Sequence, residues 1–226
     1  MQEDLSLPAE IKLYYDLYVP ENAVGKLPLL FSVHGYGANK RYMMREAKRI
    51  TDENFVIVSP QAPNQHFRES NGTYSTGFGW LTNYKSEESI ALHQKFLLDV
   101  IEKLTNEGLI DENKIFLYGF SQACALNFRF AFTHASVVRG VIGMCGGIPS
   151  DLSENKIYQT LNADVFYLYG NDDEFYKLEK FQEFDKKLDE KLPNYTSKLY
   201  QAKHEITDEM REDVKNWLSE KILATN

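Results

Sequence analysis

The 226-residue chain carries 25 Lys and Arg against 33 Asp and Glu, a formal net charge of -8, with 43% hydrophobic and 26% charged residues. Those proportions exclude a disordered or membrane-embedded chain and leave enough apolar residues for a sizeable core. The acidic balance, with no basic block anywhere, excludes a nucleic-acid partner, because binding phosphates requires clustered Lys and Arg.

Met1 to Glu10 is polar and acidic, without the basic start and apolar core of a secretory signal. No apolar run approaches the ~20 residues needed for an integral membrane segment, so a cytoplasmic location is expected. Cys124 and Cys145, the two cysteines, lie in apolar segments and are too few for a disulfide framework or a metal site. No repeat, low-complexity tract or linker marks a boundary, which predicts one domain over residues 1–226.

In chain order, Ile11 to Val19 alternates as a half-buried strand does, and Leu27 to Val33 is a continuous apolar run ending in His34-Gly35-Tyr36-Gly37. A helix over Arg41 to Thr51 and a strand over Phe55 to Val58 follow. From Phe67 to Tyr84 the chain reads as a long polar loop, with His66 at its start. Glu87 to Leu104 places Ile90, Leu97, Val100, Ile101 and Leu104 at helical spacing, with Ser86 as N-cap. Ile115 to Tyr118 predicts a strand running into Gly119-Phe120-Ser121-Gln122-Ala123 and a buried helix over Gln122 to Thr133. Strands over Val138 to Met144, Val165 to Tyr169 and Ser197 to Gln201, and helices over Lys177 to Lys191 and Asp208 to Leu223, complete the order. Strands alternating with helices predict a doubly wound α/β architecture, a mostly parallel sheet with helices on both faces. In such sheets functional groups collect beyond the carboxyl ends of the strands.

Ser121 is the candidate nucleophile. A sharp strand-to-helix turn lifts its side chain above the sheet at a helix N-terminus, where backbone N–H groups favour negative charge. Ala123 replaces the last glycine of Gly-x-Ser-x-Gly but is still small. A serine there also serves as a plain N-cap, and the turn alone does not separate the two roles. The order of later residues does, since hydrolases of the α/β type run Ser, Asp or Glu, then His. Asp172, Asp173 and Glu174 follow the Val165 to Tyr169 strand and stay open as the acid on position alone. His204, in a loop before the last helix, is the one histidine after them. His93 falls within an amphipathic helix, His134 ends the nucleophile helix, and His34 shapes a turn. Oxyanion donors are expected from backbone N–H groups of the glycine-rich turn His34-Gly35-Tyr36-Gly37, which without a function is a plain turn, and from Gln122, which follows the nucleophile. Cys124, deep in an apolar helix, lacks the electropositive surroundings that make a thiolate.

Leu29-Leu30-Phe31-Ser32-Val33-His34-Gly35-Tyr36-Gly37, Gly119-Phe120-Ser121-Gln122, Gly170-x-x-Asp173 and His204-Glu205-Ile206 together resemble the phospholipase/carboxylesterase family, which includes the acyl-protein thioesterases. Gly-Phe-Ser-Gln is the most specific piece, and Ala123-Cys124 depart from the Gly-Gly that usually follows. The resemblance implies an α/β-hydrolase fold, a Ser121–His204–Asp173 triad and the Tyr36 and Gln122 donors. It implies a serine esterase cleaving carboxylic esters of short to medium acyl chains, acting on a small-molecule or lipid-like substrate without metal or organic cofactor. Lysophospholipase or acyl-protein thioesterase activity is the alternative within that class, and a non-catalytic binding module on the same fold the alternative outside it. Ser75-Thr76-Gly77-Phe78-Gly79-Trp80-Leu81 looks like a subgroup of bacterial serine hydrolases. Trp80, Phe78 and Phe67, with other aromatics of the same stretch, are expected to line an acyl pocket.

Overall fold

A computed structural model of the chain describes residues 1–223. Its elements run β1 (Tyr15–Tyr18), β2 (Leu27–Val33), α1 (Lys40–Ile50), β3 (Val56–Pro60), β4 (Asn64–Ser70), β5 (Thr73–Gly79), α2 (Ser86–Asn106), β6 (Ile110–Phe120), α3 (Gln122–Thr133), β7 (Gly140–Met144), β8 (Asp164–Gly170), α4 (Leu178–Asp189), β9 (Tyr195–Tyr200) and α5 (Asp208–Leu223). Seven strands form the main sheet in the order β1-β3-β2-β6-β7-β8-β9. All of its pairings are parallel except that of the edge strand β1 with β3.

The continuous apolar runs are buried on both faces, and their period of two divides them between two cores. Leu29, Phe31, Val33, Ile115, Leu117, Val141 and Val165 face one core, under α2, α3 and α4. Leu30, Ile57, Phe116, Tyr118, Ile142 and Phe166 face the other, under α1 and α5. With the helices on opposite faces, the loops after β2, β6, β7, β8 and β9 meet over one edge of the sheet, the edge that carries the candidate residues.

Several expectations change. Only Tyr15–Tyr18 of the expected first strand pairs, because β3 ends at Pro60, opposite Tyr15. Ser86 is the first helical residue of α2 rather than its cap; Lys85 takes the cap position in the left-handed region, with φ 50 and no side-chain hydrogen bond. The expected loop is an antiparallel hairpin, β4 paired with β5 from Asn64↔Gly79 to Ser70↔Thr73. It was hidden because Asn64 to Ser70 carries almost no apolar alternation. The legible signal was Asn71-Gly72 at its tip, where φ values of 51 and 72 meet the tight-turn requirement that favours this dipeptide.

Candidate active site

Ser121 stands at the strand-to-helix turn with φ 57 and ψ -119, a conformation unusual for a residue with a Cβ. The turn is held by Ser121 N–H donating to Met144 O at 2.8 Å, and by the close approach of the glycine after β7. A Cβ on Gly146 would lie 2.2 Å from Ser121 O, so only glycine fits there. The Ser121 side chain makes no capping hydrogen bond to α3, and its Oγ instead lies 2.9 Å from His204 Nε2.

His204 Nδ1 lies 2.7 Å from Asp173 Oδ2. The Asp173 side chain is fully buried, and its other oxygen accepts from Phe175 N–H at 2.8 Å and Tyr176 N–H at 2.9 Å. Those bonds fix the carboxylate, which in turn favours the proton on Nδ1 and leaves the Nε2 lone pair facing the serine hydroxyl. Glu174 accepts His204 N–H at 3.0 Å, which holds the histidine backbone and draws the Glu174 carboxyl below its ordinary range. Of the three carboxylates open from sequence, Asp173 therefore meets the imidazole, Glu174 meets the main chain, and Asp172 is exposed to solvent. Phe120 and Phe175 flank the imidazole at centroid distances of 4.9 and 4.7 Å.

The turn after β2 lies against this group. A Cβ on Gly35 would stand 2.9 Å from Ser121 Cβ. His34 is buried, and its Nε2 is the acceptor for Ala62 N–H at 3.1 Å and faces the Gln61 amide at 3.0 Å. Its proton is therefore on Nδ1, which donates to Gly35 O at 2.8 Å. Burial lowers the pKa of His34 to about 4, so it is neutral at physiological pH. Gly35 C=O and Tyr36 N–H belong to one trans peptide and point in opposite directions. The imidazole that holds the carbonyl thus aims the Tyr36 N–H away from itself. Among the described residues, neither Tyr36 N–H nor Gln122 N–H donates a hydrogen bond.

The hairpin is bound to both donor segments, which sequence reasoning missed. Tyr36 stacks on His66 at 4.5 Å and 7°, Gly37 N–H donates to Phe78 O at 2.7 Å, and Arg68 Nη1 donates to Gly37 O at 2.7 Å. The Gln122 side chain bridges the hairpin exit, accepting from Trp80 N–H at 2.8 Å and donating to Leu81 O at 3.1 Å.

The aromatic pocket expectation is corrected. Trp80 is only 2% exposed, its indole donates to His34 O at 2.9 Å, and its ring meets His93 edge-on, so it supports the turn from within the core. Phe67 is 84% exposed on the hairpin, and Phe78 packs half-buried against the core. None of the three lines the groove over Ser121, an open space of about 1110 Å³. Its apolar wall is Leu81, Ala125, Ile148, Tyr176 and Phe184, and its polar wall includes Asn39, Tyr42, Arg45, Arg68, Ser75 and Thr76. Cys124, fully buried beside the turn, donates to Gly119 O and Met144 O, and burial pushes its thiol pKa up strongly, away from thiolate.

The sheet order, the turn and the edge where the loops converge define an α/β-hydrolase fold. Residues 19–222 match the model of the phospholipase/carboxylesterase family, and the chain belongs to that family, whose members are hydrolases of the esterase and thioesterase type. It is 25% identical to acyl-protein thioesterase 1 of Yarrowia lipolytica over 92% of this chain and 98% of that protein. Its fold is similar to that of a Bacillus cereus carboxylesterase, with TM-score 0.72 and 19% identity over 92% of this chain and 94% of the other. A phospholipase/carboxylesterase from Dyadobacter fermentans is similar to the same degree, with TM-score 0.72 and 18% identity over 92% and 97%.

Proposed function

We propose that the chain works as one hydrolase domain that cleaves carboxylic esters of short to medium acyl chains through Ser121, His204 and Asp173. The observation that carries this reading is the unbroken relay from Asp173 Oδ2 through the imidazole to Ser121 Oγ, with contacts of 2.7 and 2.9 Å. Ser121 Oγ attacks the carbonyl carbon while its proton passes to His204 Nε2. The carbonyl oxygen takes the electron pair and is stabilised by the Tyr36 and Gln122 N–H groups, the latter at the positive end of α3. His204 returns the proton to the leaving alcohol as the acyl–serine ester forms. Water, deprotonated by the same imidazole, then releases the acid and restores the serine. Each step is addition, elimination or proton transfer among these groups, so the route calls on no metal or organic cofactor.

Ser121→Ala is expected to lower hydrolysis of a short para-nitrophenyl ester by at least about 10³-fold and to abolish fluorophosphonate labelling, with an unchanged circular dichroism spectrum. Turnover retained by the pure variant sinks the assignment. Absence of labelling in the folded parent protein would favour a binding module instead. The thioesterase similarity supports a second reading, cleavage of a thioester by the same groups. It is tested by comparing matched oxygen esters and thioesters across acyl lengths.

A further inference from the structure

The groove is divided chemically, and the division follows the fold. Ala125, Ile148 and Phe184 come from α3, the segment after β7 and α4, all on the face of the sheet that carries the larger core. Tyr42 and Arg45 come from α1 on the opposite face, and Arg68 and Ser75 from neighbouring hairpin strands, opposite each other in register. Ser121 lies between the two walls. A substrate whose carbonyl reaches Ser121 therefore extends into an apolar wall on one side and a polar wall on the other.

The polar wall carries uncompensated positive charge. Among the described residues, neither Arg45 nor Arg68 forms an ion pair, although the molecule as a whole carries -8 and many of its other Lys and Arg residues are paired. Arg45 makes no hydrogen bond among the described residues. Arg68 uses one, Nη1 to Gly37 O at 2.7 Å, which leaves the rest of its planar fork of donors without a described partner. That bond also fixes where the guanidinium stands. Its Nε and Cζ would lie 3.3 and 3.4 Å from a Cβ on Gly37, next to the turn that offers the Tyr36 N–H. Among the described residues Glu205 is the one carboxylate residue lining the groove, and it forms an ion pair with neither arginine. A guanidinium held against the oxyanion turn with open donors is matched by a planar or tetrahedral oxyanion.

We propose that the substrate is an ester carrying an anionic group, a carboxylate or a phosphate, which Arg68 and Arg45 bind on the polar side of the reacting carbonyl while an apolar group fills the opposite wall. This rests on the ester-hydrolase reading above and adds to it a substrate class.

Two matched pairs test it. Para-nitrophenyl pentanoate and para-nitrophenyl hemiglutarate have acyl chains of equal length, the second ending in a carboxylate. Butanoyl glycerol and butanoyl glycerol phosphate place the anion on the alcohol side and make it a phosphate. In at least one pair, kcat/KM of the anionic member is expected to exceed its neutral match by about tenfold or more. That ratio falls toward one in Arg68→Gln with Arg45→Gln, is partly kept in Arg68→Lys, and shrinks with rising salt. A neutral preference in both pairs, or a ratio unmoved in the double variant, overturns the proposal and leaves ester hydrolysis standing. Binding separates the two failures. Calorimetry with Ser121→Ala, which needs no turnover, is expected to show the anionic member binding more tightly, with the advantage lost when Arg68→Gln is added. Equal or weaker binding of the anionic members overturns the proposal even if hydrolysis is observed.

Discussion

Replacing His34 by Ala removes the donor that holds the Gly35 carbonyl, and with it the orientation of the Tyr36 N–H. Loss of an oxyanion donor costs about 10²- to 10³-fold in rate, and a displaced one somewhat less. His34→Ala is thus expected to lower kcat about 10- to 100-fold with KM little changed, whereas a general loosening of the groove would raise KM as well. His34→Asn, whose amide can donate to the same carbonyl, should recover part of the rate. Equal kcat in all three proteins would show that the imidazole merely fills space. Residue type and order singled out Ser121, Gln122 and His204 once a strand and a turn preceded them, whereas Asp173 among three neighbouring carboxylates and Tyr36 within its glycine-rich turn were picked out only by the family resemblance. Trp80 was misread because an aromatic residue in a polar stretch suggests a ligand wall, while its indole donor and edge contact with His93 are long-range facts that no local pattern carries.

Among the elements, the parallel strands were the most readable, since a run of apolar residues buried on both faces leaves little choice of structure. The hairpin was least readable because Arg68, Gly77 and Ser75 owe their places to the turn after β2 and to each other rather than to a core. Helix α2 shows a different kind of concealment. Its pattern is that of an ordinary amphipathic helix, yet His93 within it is 1% exposed and neither ring nitrogen has a described hydrogen-bond partner. A buried polar group without partners is a cost, and leucine has a similar volume. His93→Leu is expected to leave stability unchanged or raise it by about 1 kcal/mol in urea unfolding. A loss of more than about 2 kcal/mol would mean that the edge contact with Trp80 outweighs the desolvated ring.

For the whole molecule, two neutral imidazoles in the interior set a response to acid. Burial lowers His34 to about 4 and His93 to about 3, against 6.5 in the unfolded chain. The unfolded state therefore takes up protons first, so the contribution of these two histidines to stability is complete above about pH 6.5 and is lost as pH drops through 4 toward 3. The His34 shift alone corresponds to a loss on the order of 3 kcal/mol. The midpoint of thermal unfolding should decline steadily between pH 6.5 and 4, and less steeply in His93→Leu; equal slopes in the two proteins would rule out His93 as a contributor. The groove's unlike walls also have separate sources, the apolar one α3, α4 and the segment after β7, the polar one α1 and the hairpin. At their junction Gln122, the proposed main-chain oxyanion donor, clasps Trp80 and Leu81 with its side-chain amide. Any heritable change at this position is consequently judged on two traits at once. The exposed tip at Asn71-Gly72 lies apart from this coupling, whereas the hairpin exit shares Gln122 with the strand-to-helix turn.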